Sequence, residues 1–214
     1  MNDVFETVLR SLEKKPEIDP KEYGVNLGSF PIAEGDSKVY EGQDKEGRRV
    51  VFKVYGLPGH ASVEYRDIKK YQAITEKATS ELSEEEITIL DPEGGERRFL
   101  VRFIPIEKVG VLPEGSAPCS VSAYVGGFNL VEYFDADQFI QKTPQRYEEL
   151  QKSPLRQVFK KESEKDIIAQ LGEFSAKLNE QMGTKAVALH PLNIKPGVIE
   201  DKSVLFVTDL YSGI

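Results

Sequence analysis

Three polar side chains stand where the sequence otherwise reads as buried strand or strand end: Lys53, Asn193 and Asp209. Lys53 lies inside Val50-Val51-Phe52-Lys53-Val54-Tyr55, a run that reads as a strand apolar on both faces. An ammonium held there is costly without a partner, so the chemistry open to Lys53 is to grip an acid or an anionic ligand. Asp209 follows Val204-Leu205-Phe206-Val207-Thr208. A run of that length and β-branched content reads as a buried strand that delivers one carboxylate to its C-terminal end, where open α/β architectures bind ligands. Asn193 belongs to the stretch just upstream, Leu189-His190-Pro191-Leu192-Asn193-Ile194.

Elements that position these groups follow from periodicity and turn chemistry. Val25 to Ile32, Lys38 to Gly42 and Arg48 to Tyr55 read as strands, the last two joined by the turn Asp44-Lys45-Glu46-Gly47. Between the first two, Ala33-Glu34-Gly35-Asp36-Ser37 is either an ordinary turn or a loop whose backbone amides, at Gly35 and Ser37, face an anion. After Ser62 a helix is expected to about Thr79, with Glu64, Ile68, Tyr71 and Ala78 on one face. Glu64 is then the natural partner for Lys53 and Asp67 the second choice; the alternative for Glu64 is a solvated charge favoured by the helix dipole. Phe99 to Ile106 and Cys119 to Tyr124 complete an antiparallel sheet of about five strands with one helix. Val125-Gly126-Gly127-Phe128-Asn129-Leu130 then breaks the pattern and marks a domain boundary. Beyond it the chain turns helical, in short pieces cut by Pro144 and Pro154. A longer helix through Ile167, Leu171, Phe174 and Leu178 follows and stops at Gly183. At the start of the chain Val4, Phe5, Val8, Leu9 and Leu12 recur at helical spacing.

Composition narrows the class. The chain has 214 residues, 39% hydrophobic and 30% charged, which suits one sizeable domain or two small lobes. A net charge of −8 argues against a general nucleic-acid binder. A single cysteine, Cys119, forms no internal disulfide, and two histidines, His60 and His190, give no Cys/His metal cluster. Cys119 reads as a buried strand residue. No apolar run approaches the roughly 20 residues of a membrane span, and Met1-Asn2-Asp3-Val4 opens no signal peptide, so a cytoplasmic protein without membrane contact is expected.

Taken in order, the strand, glycine loop, lysine strand, carboxylate helix, glycine joint, helix, polar loop and terminal Asp resemble the protein-kinase-like superfamily, more narrowly its aminoglycoside phosphotransferase and choline kinase branch. The resemblance covers about residues 24 to 214. It implies an α+β, two-lobed fold: a helical extension over 1–23, an N-lobe over 24–124 with an antiparallel five-stranded sheet plus one helix, and an incomplete, mainly helical C-lobe over 125–214.

The same resemblance implies ATP and Mg2+ as cofactors. Gly35 and Ser37 would belong to a shortened glycine loop, Lys53 would meet the α and β phosphates with Glu64 behind it, and Tyr124 and Val125 would offer hinge backbone to adenine. In one register Asn193 and Asp209 are the two metal ligands and Ala188 stands where the catalytic aspartate is expected. In the other, Asn193 itself replaces that aspartate and Val198 the metal asparagine. Either way the general base is missing, and His190, whose ordinary pKa is near neutrality, or another group would have to substitute for it; otherwise His190 is a loop histidine satisfied by backbone.

The expected function is therefore a nucleotide-binding pseudokinase or weak phosphotransferase. The alternatives are a regulatory or scaffold module of kinase-like shape that binds no nucleotide, and an active small-molecule kinase. Ile214 lies five residues past Asp209, which leaves three readings open: a truncated product, a chain that never positions an acceptor, or a protein partner that completes the C-lobe.

Overall fold

The computed structural model describes residues 15–34, 37–56, 64–82, 85–90, 94–113, 117–183 and 188–209. The helix expected near Val4 to Leu12, Gly35 of the glycine loop and the expected cap Ser62 lie outside them. The elements in chain order are β1 (Ala33–Glu34), β2 (Ser37–Gln43), β3 (Arg49–Tyr55), α1 (Tyr65–Glu81), β4 (Glu86–Leu90), β5 (Glu96–Phe103), β6 (Ile106–Val111), β7 (Pro118–Ala123), α2 (Leu130–Phe134), α3 (Ala136–Lys142), α4 (Glu148–Lys152), α5 (Glu164–Met182), β8 (Ile194–Ile199) and β9 (Lys202–Val207), with short 3-10 turns between some of them. The fold is mixed α+β. The chain forms two compact units, Met1–Gln72 with Ile106–Tyr124, and Ala73–Pro105 with Val125–Ile214.

In the first unit a five-stranded antiparallel sheet runs β1-β2-β3-β7-β6. The β2–β3 hairpin is set by its turn: Asp44 accepts from the backbone N–H groups of Glu46 and Arg48, and Gly47 takes the left-handed φ of 81° that closes it. One face of β3 is buried through Val50, Phe52 and Val54, which pack with Tyr23, Tyr40, Cys119 and Val121. Pro16 to Ile18 lies along the outer edge of β6, with Ile18 N–H donating to Val111 O and Val111 N–H to Pro16 O, both at 2.9 Å. That approach needs a glycine on β6, because a Cβ on Gly110 would stand 2.5 Å from Pro16 O.

The first strand expected, Val25 to Ile32, does not form. Asn26 instead turns the chain, its side chain accepting from Gly28 N–H and its carbonyl from Ser29 N–H, so only Ala33–Glu34 is left to pair with β2. A side chain that caps its own backbone competes with the ladder, and here it wins.

The second unit contains the larger core and a four-stranded sheet, β4-β5-β9-β8. Its presence corrects the membership of the strand expected at Phe99 to Ile106. The strand ends at Phe103, and β5 pairs in parallel with β9, Leu100 to Phe103 alongside Val204 to Val207. Phe99, Val101 and Phe103 alternate into a core that they share with Leu171, Leu178 and Phe159. Phe99 and Phe159 pack in a tilted pair with ring centroids 5.4 Å apart. A separate strand, β6, takes the fifth place in the first unit's sheet. The long helix α5 ends as expected at Gly183, left-handed at φ 63°. The short helix α2 opens on a capping box: Asn129 accepts from Glu132 N–H while the Glu132 carboxylate accepts from Asn129 N–H.

Candidate functional site

The expected site residues are distributed over the two units. In the first, Lys53 is half-buried rather than sealed between two apolar faces, since β3 alternates buried Val50, Phe52 and Val54 with half-buried Val51, Lys53 and Tyr55. In register it lies between Val39 and Ser120. Its face of the sheet is mixed, with Val39 and Val51 beside Ser120 and Ser122, both buried on β7, and the Tyr55 hydroxyl 3.0 Å from Ser120 Oγ. These serines were legible only as the polar half of the alternation in Cys119-Ser120-Val121-Ser122, a signal easily read as ordinary strand. Ser37 pairs with Tyr55 at the start of β2 and is half-buried.

Glu64 departs from the expectation. It precedes α1 and is exposed, and its carboxylate lies 2.9 Å from Arg66 Nε. Its backbone N–H donates to Asp67 Oδ2 at 3.3 Å. Asp67 also faces Lys70 at 3.5 Å. Both acids are thus engaged at the helix start, where a carboxylate at the third position can cap the orphan N–H. The inward positions of α1 belong to Ile68, Gln72, Thr75 and Ala78. Gln72 donates to Ile106 O at 3.0 Å and accepts from Lys69 Nζ at 2.7 Å.

Tyr124 ends the first unit and is held by Arg49, whose guanidinium carbon stands 3.8 Å from the Tyr124 ring centroid while its Nε donates to Glu41 at 2.6 Å. The Tyr124 N–H donates to Arg49 O at 3.1 Å.

In the second unit the loop before β8 is built from the helix outward. Ser175 on α5 is buried, and its Oγ donates to Leu171 O at 2.8 Å and accepts from Leu189 N–H at 3.1 Å, which pins the chain beside half-buried Ala188. His190 is exposed, and its Nδ1 accepts from Leu192 N–H at 3.3 Å, capping the turn Pro191–Asn193. That bond is the backbone-satisfied role open to a loop histidine, and it fixes Nδ1 as an acceptor. The Asn193 N–H closes the turn on His190 O at 2.8 Å.

From there the hairpin register decides the geometry. Ile194 pairs with Val207, and the next pair out is tied by Thr208 N–H donating to Asn193 O at 2.8 Å and Thr208 Oγ1 donating to the same oxygen at 3.1 Å. Asn193 and Asp209 therefore flank the open end of one hairpin, both half-buried. An amide oxygen and a carboxylate so placed are two hard oxygen donors. Among the described residues no group of three His, Cys, Asp or Glu is arranged to hold a metal. A cation held by Asn193 and Asp209 would have to take its other ligands from water or a polyphosphate, as Mg2+ does. Val198 is 57% exposed at the far end of β8, in a position unlike that of a ligand.

Beside this pair lies an unexpected contact. Lys195, on β8 opposite Phe206, donates from Nζ to Val125 O at 2.7 Å. Val125 is one of the two residues whose backbone was expected to meet adenine.

Cys119 is fully buried on β7, and burial pushes its thiol up to about 12, so the thiolate is absent at neutral pH. Among the described residues no helix is long and apolar enough to cross a membrane.

No protein-family model matches the chain, and no curated protein does. Among solved structures it is similar to a pseudokinase in its apo form, at 11% identity and a TM-score of 0.45 over 92% of this chain and 63% of that one. It is also similar to the BubR1 kinase domain, at 14% identity and a TM-score of 0.47 over 97% and 56%. A third is Rv3197 from Mycobacterium tuberculosis, in complex with erythromycin, at 12% identity and a TM-score of 0.42 over 97% and 52%. The chain spans 52 to 63% of the length of these three.

Proposed function

We propose that this chain is a kinase-like domain that binds Mg-nucleotide without efficient phosphoryl transfer, a pseudokinase. The reading is supported by the hairpin that carries Asn193 and Asp209 at its open end, while the position expected for the general base is Ala188. Phosphoryl transfer rests mainly on positioning and charge neutralisation, so a nucleotide can be held where the base is lost. The loss typically costs about 10² to 10⁴ in rate. Bound Mg2+ would neutralise the phosphates, with Asn193 and Asp209 as its protein ligands.

The test is a thermal-shift and calorimetric titration with ATP, with and without Mg2+. Binding to the native state alone raises the melting temperature, by about 2 to 4 °C for each kcal/mol in a chain of this size. The expected result is a Mg-dependent shift that disappears in Asp209→Ala. No shift at millimolar Mg-ATP sinks the reading. Phosphate transfer to a hydroxyl acceptor, lost in Asp209→Asn, would instead make the protein an active ATP-dependent phosphotransferase.

A second reading, a regulatory or scaffold module that binds no nucleotide, draws on the engagement of Glu64 with Arg66 and of the Val125 carbonyl with Lys195. A protein partner belongs to this reading, and a cytoplasmic location suits both.

A further inference from the structure

The four-stranded sheet of the second unit turns one face into its core, through Phe99, Val101 and Phe103 of β5 and Leu205 and Val207 of β9. Alternation therefore puts Arg98 and Arg102 of β5 and Lys202 and Phe206 of β9 on the opposite face. Register completes that face: Phe206 lies between Arg102 and Lys195, and Lys202 pairs with Ile199. Carried back two residues from the Leu100–Val204 pair, the same register sets Arg98 beside Lys202, so Arg98, Lys202 and Ile199 form a row across three strands. Arg98 and Lys202 are exposed, Ile199 is 45% exposed, Arg102 and Phe206 are half-buried, and Val204 between the rows is buried. The four cations share this face with two carboxylates, Glu86 and Glu96, in a chain whose net charge is −8. Arg48, Arg49, Arg66 and Arg156 each face a carboxylate. Among the described residues Arg98, Arg102 and Lys202 face none. Like charges at adjacent cross-strand positions are destabilising, and here no carboxylate offsets Arg98 beside Lys202.

We propose that this face docks an acidic segment of a partner protein, with carboxylates on Arg98, Arg102 and Lys202 and an apolar side chain on Ile199. Neighbouring strands lie about 4.8 Å apart, and the four-residue step from Arg98 to Arg102 along β5 covers about 13 Å, so the cations span the length of a short extended peptide. The field of the acidic remainder of the chain is screened within about 8 to 10 Å at ordinary ionic strength, which leaves the patch locally attractive to carboxylates. Exposed Ile199 and the accessible part of the Phe206 ring add apolar surface beside the cations, which a peptide can cover and a bare phosphate backbone does not use. The overall charge of −8 opposes the long phosphate track of a nucleic acid.

The experiment follows, by fluorescence anisotropy, a labelled peptide of Glu-Glu-Leu repeats, its Gln-Gln-Leu counterpart and an oligothymidylate titrated with the full chain. The variants are Arg98→Gln, Arg102→Gln, Lys202→Gln, the double change Arg98→Glu with Lys202→Glu, and Lys165→Gln, which removes an exposed charge from α5 as a control for net charge. Melting temperatures are recorded without ligand. The expected result is saturable binding of the acidic peptide that weakens with added salt. Each single change to Gln should weaken it about two- to five-fold, the scale of one exposed ion pair. The double reversal should abolish it, Lys165→Gln should leave it unchanged, and the Gln-Gln-Leu peptide should not bind. Arg98→Gln should melt at or slightly above the wild-type temperature, because a repulsion is removed. No binding of the acidic peptide at millimolar concentration overturns the proposal, as does a loss in Lys165→Gln equal to that in Lys202→Gln. Tighter binding of the oligothymidylate than of the peptide overturns it in favour of a nucleic-acid surface. An Arg98→Gln variant that melts well below wild type while binding the peptide normally would give the cations a structural role instead.

Discussion

The two units handle their polar groups differently. In the first unit the groups expected to act together depend on side-chain direction: Lys53 comes from a strand face and Glu64 from the start of a helix. Glu64 finds Arg66 two residues away. In the second unit the backbone register sets Asn193 opposite Thr208, the neighbour of Asp209, and a pair of hydrogen bonds from Thr208 to the Asn193 carbonyl fixes it. The difference teaches that a strand register delivers a residue more dependably than a helix end does. A one-residue slip in a hairpin reverses every side chain and is strongly resisted wherever one face is buried. A helix end has local partners that compete for its charges.

The comparison extends to the cores and can be broken there. Each unit has its own buried cluster, one around Phe52 and the other around Phe99, both fully buried. Removing a buried phenylalanine ring typically costs about 3 to 5 kcal/mol. Phe99→Ala should therefore lower stability by about that amount, with the loss concentrated in amides of β4, β5, β8 and β9 when followed by hydrogen exchange. Phe52→Ala should expose β2, β3 and β7 first. If both variants relax the same amides equally, the two clusters behave as one cooperative core and the contrast between the units falls.

A smaller effect is expected at Gly110. Adding a Cβ there forces Pro16 to Ile18 off the edge of β6, because Pro16 O and Ile18 Cγ1 would lie 2.5 and 2.6 Å away. Overpacking of this kind costs about 1 to 3 kcal/mol. Gly110→Ala should lower the denaturation midpoint and expose the 16–18 segment to proteolysis, while a matched change at Gly172, where a Cβ meets nothing, should be neutral or stabilising. Equal losses in the two variants would show that the strap contributes nothing particular to the first unit.

The smallest effect is electrostatic. The ammonium of Lys177, 2.8 Å from Glu85, holds that carboxyl below the ordinary carboxylate range, helped by Gln181. A depressed folded pKa contributes stability that is present above the unfolded value and is lost as pH falls through the folded one. Glu85→Gln should thus cost less than about 1 kcal/mol at neutral pH, as exposed pairs do. The gap between variant and wild type should close on acidification below the ordinary glutamate pKa. A gap that persists at low pH would assign the effect to packing.

Local signals in the sequence were read correctly where the partners are near in the chain. The Asp44–Gly47 turn, the stop of α5 at Gly183, the burial of Cys119 and the delivery of Asp209 at the end of β9 all rest on contacts within a few residues or on strand pattern. The α+β class and an antiparallel sheet of five were legible for the same reason. Which strands made up that sheet was not. The stretch Phe99 to Phe103 has the alternation of a half-buried strand and carries no mark of its neighbour, so nothing in it distinguishes a place beside β7 from a parallel pairing with β9 about a hundred residues on. Asn26 hid a turn inside a run that otherwise resembled a strand.

By itself, then, the sequence determined which residues alternate, cap and stop, and hence the identity and most of the boundaries of the elements, because those depend on backbone sterics and nearest-neighbour hydrogen bonds. Only the tertiary structure decided that β5 lies against β9, that Ser175 anchors the chain before His190, and that the ammonium of Lys195 rests on Val125, 70 residues away. A polar group takes the best partner within reach once the chain has folded, and distance along the sequence does not say who that partner will be.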